Sequence, residues 1–339
     1  MKSDNDILFI YTTFSAFVKT DYEILSEKFV IHQFQYFSGK KLKTHFLSQI
    51  KLFFWLIKSI RKCKVVYIWF ADYHSLVPII FSKIFNKKSY LVLGGYDVVG
   101  IPELKYGSYS NKLRAFCAGY SIKFASLNLA VGENIEAEAK VKEPKAKVIT
   151  LHTGYDSEKF SLGNLERKKR VITVTGMNKS NSAQRFKIKG TDIFCMAAEK
   201  MPETEFVIIG CKREYLENIT KIPSNVKIID FLEQKKLIEF YQSSKVYAQF
   251  SIREGLPNAV CEAMLCGCIP VGSSAEGVKL AIGETGFIAK DSSINSAVEA
   301  LKKALESGET PAIKSREYIV KMFSLNKRKS KLSELIDAK

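Results

Sequence analysis

Short apolar runs alternate with longer amphipathic stretches along most of the chain. The runs are apolar at nearly every position and rich in Val, Ile, Phe and Tyr, which predicts strands covered on both faces. The stretches between them, such as residues 191–200 and 234–243, have helical spacing. The strand candidates are residues 7–11, 65–70, 89–94, 127–132 and 147–152, followed after a break by 170–176, 205–210, 226–231, 245–250 and 268–273. This alternation predicts an α/β protein with doubly wound parallel sheets.

The alternation pauses at residues 157–169, SEKFSLGNLERKK, which are polar and rich in lysine. Because 339 residues are too many for one ordinary core, we expect two Rossmann-like domains, residues 1–160 and 161–315. Residues 316–339 have helical spacing and are expected to close back toward the N-terminal domain. Ligands of such sheets bind beyond the carboxyl ends of the strands, so the cleft between the domains is the expected binding site.

Two acids interrupt the apolar stretch SIREGLPNAVCEAMLCGC, which follows the strand predicted at residues 245–250. Pro257 suits the first turn of a helix and Gly267 suits its end, so a helix is predicted over about residues 257–266. Glu254 then precedes the helix and Glu262 lies inside it. The unpaired N–H groups at the helix start form an anion site that a phosphate would fit.

A phosphate at that position leaves a role for each acid. Glu254 would reach hydroxyl groups on whatever the phosphate carries, and Glu262 would accept hydrogen bonds from a vicinal diol such as ribose. On spacing alone, Glu254 is equally an acid that interacts with the helix dipole. Glu262 has apolar neighbours in sequence, and an acid in such surroundings is expected to have a bonding partner.

The segment EGLPNAVCE resembles the E-x7-E motif of retaining glycosyltransferases with the GT-B fold, in particular family 4 of the group 1 type. Further segments resemble other motifs of that family: LHTGYDSEKF at residues 151–160, KIKGTDIF at 187–194 and EFVIIGC at 205–211. The resemblance is strong over residues 145–335 and weak in the N-terminal half.

The resemblance implies two Rossmann-like domains that face a cleft, and metal-independent transfer of a sugar, with a hexose expected, from a nucleotide-diphosphate sugar. The acceptor would be a saccharide or a lipid-linked molecule in cell-surface glycan synthesis. By resemblance, Glu254 contacts the sugar, Glu262 binds the ribose and Lys189 neutralises the leaving diphosphate. The backbone of four residues would line the sugar and diphosphate: Gly255, Leu256, Pro257 and Asn258. No cofactor and no metal are expected.

The sequence departs from the family in two places. The family has an arginine directly after the strand that opens the second domain, where this chain has residues 176–178, Gly-Met-Asn. Arg185 is the candidate substitute, and a solvated basic loop is the alternative. In the N-terminal half, Gly94 replaces a family histidine, whereas Asp97 aligns with a family aspartate and is the candidate acceptor-side base. These losses leave a second hypothesis open, a weak or inactive homologue that binds nucleotide or glycan.

The net charge of +17 predicts an anionic partner. Residues 39–64 contain eight Lys or Arg and no acid, and residues 46–62 have the spacing of an amphipathic helix. This helix is either an interfacial helix on an anionic membrane or a helix that packs on the sheet with a solvated basic rim. No nucleic-acid-binding module is recognised.

Four histidines and seven scattered cysteines make a zinc site unexpected. Reduced thiols predict a cytoplasmic protein, with peripheral contact to the inner face of the membrane as a further expectation. His74 is expected to be structural. The sequence leaves open whether the donor base belongs to UDP, GDP or ADP.

Overall fold

The computed structural model describes residues 6–37, 39 and 42–337, which divide into two compact units. The N-terminal unit runs to Gly154 and resumes at Asn326, and the C-terminal unit comprises Tyr155–Leu325. Each unit has its own parallel sheet.

The sheet of the N-terminal unit has six strands in the described part of the chain, in the order β2-β1-β3-β4-β5-β6. Its central strands are buried along most of their length, as a sheet covered by helices requires. The strands are β1 Asp6–Tyr11, β2 Val30–Gln35, β3 Cys63–Trp69, β4 Lys88–Leu93, β5 Leu127–Ala130 and β6 Val148–Thr150. The helices between them are α1 Ala16–Ser26, α2 Leu42–Ser59, α3 Tyr73–Ile84, α4 Lys112–Phe124 and α5 Glu133–Lys142.

The C-terminal unit has a second six-stranded parallel sheet among the described residues, in the order β12-β11-β10-β7-β8-β9. Its strands are β7 Lys168–Val174, β8 Glu205–Ile209, β9 Val226–Ile229, β10 Ser244–Gln249, β11 Ile269–Gly272 and β12 Phe287–Ile288. Its helices are α6 Ser182–Ile188, α7 Thr191–Glu199, α8 Arg213–Glu217, α9 Gln234–Gln242, α10 Asn258–Leu265, α11 Glu276–Ile282, α12 Ile294–Glu306 and α13 Thr310–Met322. Counted within the unit, this is the Rossmann strand order 3-2-1-4-5-6.

All ten predicted strands are confirmed, with ends shifted by a few residues, and two further strands were not predicted. The first is β2, VIHQFQ, an edge strand whose side chains are mostly exposed or half-buried. Because an edge strand can be partly solvated, β2 has no continuous apolar run and the sequence pattern did not predict it. The second is β12, which has only two residues.

The structure divides the chain at Gly154 and Tyr155, earlier than the predicted boundary at residues 160 and 161. The intervening segment is tied to the C-terminal unit, because the Arg316 guanidinium donates hydrogen bonds to the carbonyls of Ser157 and Phe160. The polar composition that suggested a linker therefore reflects a surface segment of a folded unit.

The predicted tail also divides differently. Helix α13 belongs to the C-terminal unit, whereas the last helix, α14 Leu325–Asp337, packs almost entirely within the N-terminal unit. Arg328 of α14 is buried and pairs with buried Asp21 of α1, with Nε–Oδ1 and Nη2–Oδ2 distances of 2.5 and 2.7 Å. Its Nη1 group donates to the carbonyls of Leu151 and His152, at 2.9 and 2.7 Å.

No helix in the described part of the chain combines the length and the apolar content that crossing a membrane requires.

Candidate functional site

The chain order reverses between two adjacent strands of the C-terminal sheet, β7 and β10. From β7 the chain proceeds to β8 on one side, and from β10 it proceeds to β11 on the other. In open α/β sheets the crevice beyond such a reversal is where ligands bind. The residues that follow these two strands are 175–181 and 250–257, so the predicted donor loop lies at this point.

The structure brings together Lys189 and Glu254, two residues predicted for this site. Nζ of Lys189 lies 2.6 Å from Oε1 of Glu254, and the two side chains are 21% and 14% exposed. Lys189 stands between α6 and α7, next to Gly190, whose φ is +64°. A Cβ on Gly190 would lie 1.9 Å from the Phe250 carbonyl oxygen, so only glycine lets this turn approach the end of β10.

A chain of buried polar side chains holds Glu254 from the protein side. The Tyr247 hydroxyl donates to Oε1 of Gln249 at 3.0 Å, and Nε2 of Gln249 donates to the Ser251 hydroxyl at 2.6 Å. The Ser251 hydroxyl then donates to Oε1 of Glu254 at 2.8 Å. Sequence analysis did not identify this chain, although Gln249 and Ser251 are polar residues at the buried end of a strand and could have indicated it.

The loop after Glu254 leads directly into α10. Leu256 is buried, and Pro257 immediately precedes the helix, which begins at Asn258, one residue after the predicted start. The Tyr155 hydroxyl donates a 2.8 Å hydrogen bond to Oδ1 of Asn258 and thereby orients the first helical residue. The first N–H groups of α10 lack partners within the helix, as at any helix start.

A close backbone contact fixes the other side of this loop. A Cβ on Gly277 of α11 would lie 2.2 Å from the Gly255 carbonyl oxygen and 2.3 Å from that of Glu254. Helix α11 therefore packs directly against the loop, and a larger residue at position 277 would displace it. The carbonyls of Glu254 and Gly255 are in this way placed by packing as well as by hydrogen bonds.

Glu262 lies within α10, where the sequence predicts it, and is partly buried. Burial raises the pKa of its carboxyl group to about 7, although Lys159 and Tyr241 act in the opposite direction. A carboxyl group of this kind accepts hydrogen bonds strongly only once it is ionised.

Arg185 lies in α6 and reaches the carboxyl end of β7. Its Nε donates to the Thr175 carbonyl at 3.0 Å. A Cβ on Gly176 would lie 3.5 Å from Nη2 of Arg185. The guanidinium is thus adjacent to the segment in which the family's arginine would stand.

Asp97 lies in the N-terminal unit, fully buried. Its carboxylate accepts hydrogen bonds from the backbone N–H groups of Gly94, Gly95 and Ala71, at 2.8–3.3 Å. Burial raises the pKa of this carboxyl group to about 6, and the N–H donors limit the rise. These contacts describe a carboxylate that holds the turn after β4, and its role as a base stays a prediction.

The structural interpretation of His74 is confirmed, because its ring is buried and Nε2 lies 2.8 Å from the Trp69 carbonyl oxygen. Within the described ranges, no three His, Cys, Asp or Glu side chains are grouped so that they could hold a metal ion. The seven cysteines are buried and form no disulfide.

A cavity of about 400 Å³ opens at the same edge of the C-terminal sheet. Gly190 and Ser251 line it together with Lys187, Asp192 and Ser273. Neither Lys189 nor Glu254 is among its lining residues, so the cavity neighbours the predicted donor residues and does not contain them.

Comparison with solved structures concerns the fold. Sucrose-phosphate synthase from Thermosynechococcus elongatus superposes with a TM-score of 0.80 at 12% identity, covering 98% of each chain. HepE from Anabaena, solved in complex with UDP and glucose, gives a TM-score of 0.76 at 15% identity, covering 99% of this chain and 100% of that one. With the two six-stranded parallel sheets, these likenesses confirm the predicted GT-B fold class.

Comparison with known sequences concerns the C-terminal unit. One component of the human phosphatidylinositol N-acetylglucosaminyltransferase is 29% identical over 133 residues, which cover 37% of this chain and 28% of the human protein. The chain thus matches less than a third of that protein's length. The family model described as "Glycosyl transferases group 1" matches residues 155–321, nearly the whole C-terminal unit. The C-terminal unit is therefore similar to the group 1 glycosyl transferases.

Proposed function

We propose that the chain is a retaining glycosyltransferase that moves a hexose from a nucleotide-diphosphate sugar to a saccharide or lipid-linked acceptor in cell-surface glycan synthesis. The observation that carries this proposal is the Lys189–Glu254 ion pair at the strand-order reversal of the C-terminal sheet. It joins the two charged groups that such a donor needs, one for phosphate and one for sugar hydroxyls, within a site built for ligands.

The diphosphate is proposed to lie at the start of α10, where unpaired N–H groups and the positive end of the helix dipole attract an anion. Lys189 and Arg185 would supply positive charge, since the leaving diphosphate gains negative charge as the glycosidic bond breaks. We expect these two cations to replace a divalent metal, so an excess of EDTA should leave the rate unchanged.

The two acids would bind opposite ends of the donor. Glu254 accepts hydrogen bonds from sugar hydroxyls and Glu262 accepts them from the ribose diol. Gly255, Leu256, Pro257 and Asn258 would border the sugar and diphosphate through their backbone. Phe231, 81% exposed and two residues beyond the end of β9, is available to contact the base.

Transfer with retention follows if the acceptor attacks from the face that the diphosphate leaves. The C1–O bond to the phosphate breaks and its electron pair goes to the diphosphate oxygen. The acceptor oxygen bonds to C1 on the same face, and its proton passes to the departing phosphate. No enzyme nucleophile is required, and Asp97 remains only a candidate acceptor-side base. NMR of the product should show the anomeric configuration of the donor.

We place the reaction in the cytoplasm. All seven cysteines are buried and unpaired, which is the usual state of thiols in a reducing compartment.

Nucleotide release from a panel of UDP-, GDP- and ADP-sugars tests the proposal. UDP-glucose comes first because HepE was solved with UDP and glucose. We expect one donor to be turned over, Glu254→Gln to abolish release, and Glu284→Gln, at an exposed acid of the same unit, to leave it unchanged. Calorimetric binding of a nucleotide without turnover of any sugar would instead identify an inactive, nucleotide-binding homologue.

A further inference from the structure

Helix α2 exposes large apolar side chains along much of its length. Six of them are between 38% and 65% exposed, whereas scattered single apolar residues are normal on protein surfaces. We call these six residues the outer face of α2: Phe46, Leu47, Ile50, Phe53, Phe54 and Ile57. The sequence predicts an apolar face on this helix, and the structure shows that most of it points away from the core.

The core contacts of α2 come from a different set of residues. Leu52 and Leu56 are completely buried, as is Ile60 just beyond the helix. At about 100° per residue, the outer face spans roughly 120° of the helix circumference, and Leu52 and Leu56 lie roughly 160° and 120° from its centre. The helix therefore has two apolar faces, and the outer one stays largely exposed, although its Phe53 packs edge-to-face against Phe81 of α3 with ring centroids 5.4 Å apart.

The outer face has a basic border. At the same helical spacing, Lys51 and Lys58 fall side by side along one edge of it, roughly 80–100° from its centre. Between Glu27 and Asp72 the sequence contains no Asp or Glu. Within the part of the chain that the structure describes, no acid lies within 4 Å of the five basic side chains here: Lys43, Lys51, Lys58, Arg61 and Lys62. Apolar groups and unneutralised positive charge thus share one surface.

We propose that the outer face of α2 docks onto an anionic lipid bilayer, with the helix axis parallel to the membrane plane. Aromatic and aliphatic side chains of an interfacial helix enter the boundary between headgroups and acyl chains, and lysines at its edge contact lipid phosphates. This inference stands apart from the proposed reaction. It also gives a physical reason for action on a lipid-linked acceptor, since docking would hold the N-terminal unit at the surface that contains one.

The charge of this surface favours an anionic bilayer over a second copy of the chain or a nucleic acid. A symmetric contact between two copies of the chain would bring two sets of unneutralised lysines together, which is unfavourable. Nucleic acid would satisfy the lysines but leave the phenylalanines exposed, because such interfaces are polar. An anionic bilayer satisfies both kinds of group.

Co-sedimentation with vesicles tests the proposal. We expect the full chain to bind vesicles of phosphatidylcholine with about one third phosphatidylglycerol, and to bind pure phosphatidylcholine at least tenfold more weakly, because each basic residue adds to the attraction. Phe46→Ser/Phe54→Ser should weaken binding to the anionic vesicles by more than tenfold, because it removes two aromatic side chains that would be buried in the bilayer. Lys51→Glu/Lys58→Glu should do the same at low salt.

The matched control is Val141→Ser/Ile313→Ser, which removes two exposed apolar side chains elsewhere and should leave vesicle binding unchanged. Circular dichroism and the thermal unfolding midpoint establish that each variant is folded. Equal vesicle binding by the wild type and the phenylalanine variant would overturn the proposal. So would sedimentation equilibrium that shows a wild-type dimer and a monomeric phenylalanine variant, because the outer face would then be a contact between two copies.

Discussion

The pairing of Lys189 with Glu254 makes the function of each residue depend on the other. Their Nζ and Oε1 atoms are 2.6 Å apart and mostly shielded from water. We expect Lys189→Met to lower kcat by about 10²–10³-fold, the usual loss when one group that stabilises transition-state charge is removed. Because that charge develops during bond cleavage, the KM for the donor should change much less than kcat.

Lys187→Met is the matched control for this prediction. Lys187 also forms a 2.8 Å ion pair, with Asp192, but its side chain is 52% exposed. The Asp192 side chain is 15% exposed, but the Lys187 end of the pair is solvated, so kcat and stability should change little. Equal losses in the two variants would mean that Lys189 acts through the stability of the α6–α7 turn and not on the diphosphate.

Glu262 predicts a pH dependence of donor binding. Burial raises the pKa of its carboxyl group to about 7, so in the free protein the group gains its charge as the pH rises from about 6 to 8. Its charged form accepts hydrogen bonds from the ribose diol more strongly. The dissociation constant of the donor should therefore fall over this interval, as measured by calorimetry.

The raised pKa of Glu262 has the opposite effect on stability, which falls over the pH range in which donor binding strengthens. Between the unfolded pKa of about 4.3 and the folded value, the folded chain binds more protons, so this group lowers the free energy of unfolding as the pH rises. Glu262→Gln should remove the pH dependence of donor binding between 6 and 8 while weakening binding throughout. A dissociation constant that is flat from pH 6 to 8 in the wild type would contradict the ribose role.

At the level of single residues, the sequence predicts where the two donor-site acids lie but not which side chains support them. The E-x7-E spacing locates both acids and the helix between them, because a fixed loop and helix follow the strand. It does not reveal that Ser251 and Gln249 support Glu254, since a hydrogen-bond partner depends on side-chain direction. Nor does it show that the Asp97 carboxylate is enclosed by the N–H groups of three residues, two of them local and one distant.

At the scale of elements, strands buried on both faces were predictable and the others were not. A short, mostly apolar run such as residues 205–210 is typical of a central strand, so it was predicted correctly. The edge strand β2 is mostly polar, and its sequence resembles that of a loop. Helix α2 was recognised by its period, but the period cannot say which of two apolar faces packs. The unit boundary was placed late because polar composition does not distinguish a linker from a surface segment.

The last helix, α14, contributes a buried ion pair to the N-terminal unit, and this pair predicts a large effect on stability. Arg328→Met leaves the buried Asp21 carboxylate without its cation. Breaking one partner of a buried pair costs about 3–5 kcal/mol, so denaturant unfolding of the N-terminal unit should lose that amount. The double variant Asp21→Asn/Arg328→Met should recover about half of it, because no unpaired charge remains.

Lys329→Met is the control on the same helix. Lys329 pairs with Glu27 at 2.5 Å, but both side chains are at least 41% exposed. The expected loss is about 0–1 kcal/mol. If Arg328→Met cost no more than Lys329→Met, α14 would be held by its apolar contacts and not by the ion pair.

At the scale of the whole molecule, the donor residues and the buried ion pair lie in different units, each with its own sheet. We therefore expect two thermal transitions that respond to different changes. A nucleotide at about 100 times its dissociation constant stabilises the unit that binds it by about 2.7 kcal/mol. For a unit of this size that corresponds to a rise of roughly 5–10 °C in one midpoint.

Calorimetry of the wild type, Arg328→Met and Glu262→Gln tests which thermal transition belongs to which unit. Nucleotide should raise the midpoint of the C-terminal unit in the wild type and in Arg328→Met, and Arg328→Met should lower only the other midpoint. Glu262→Gln should reduce the nucleotide-induced rise without moving the transition that Arg328 controls. A single transition that both the nucleotide and Arg328→Met shift would show that the units unfold together, and the stability of the donor site would then depend on α14.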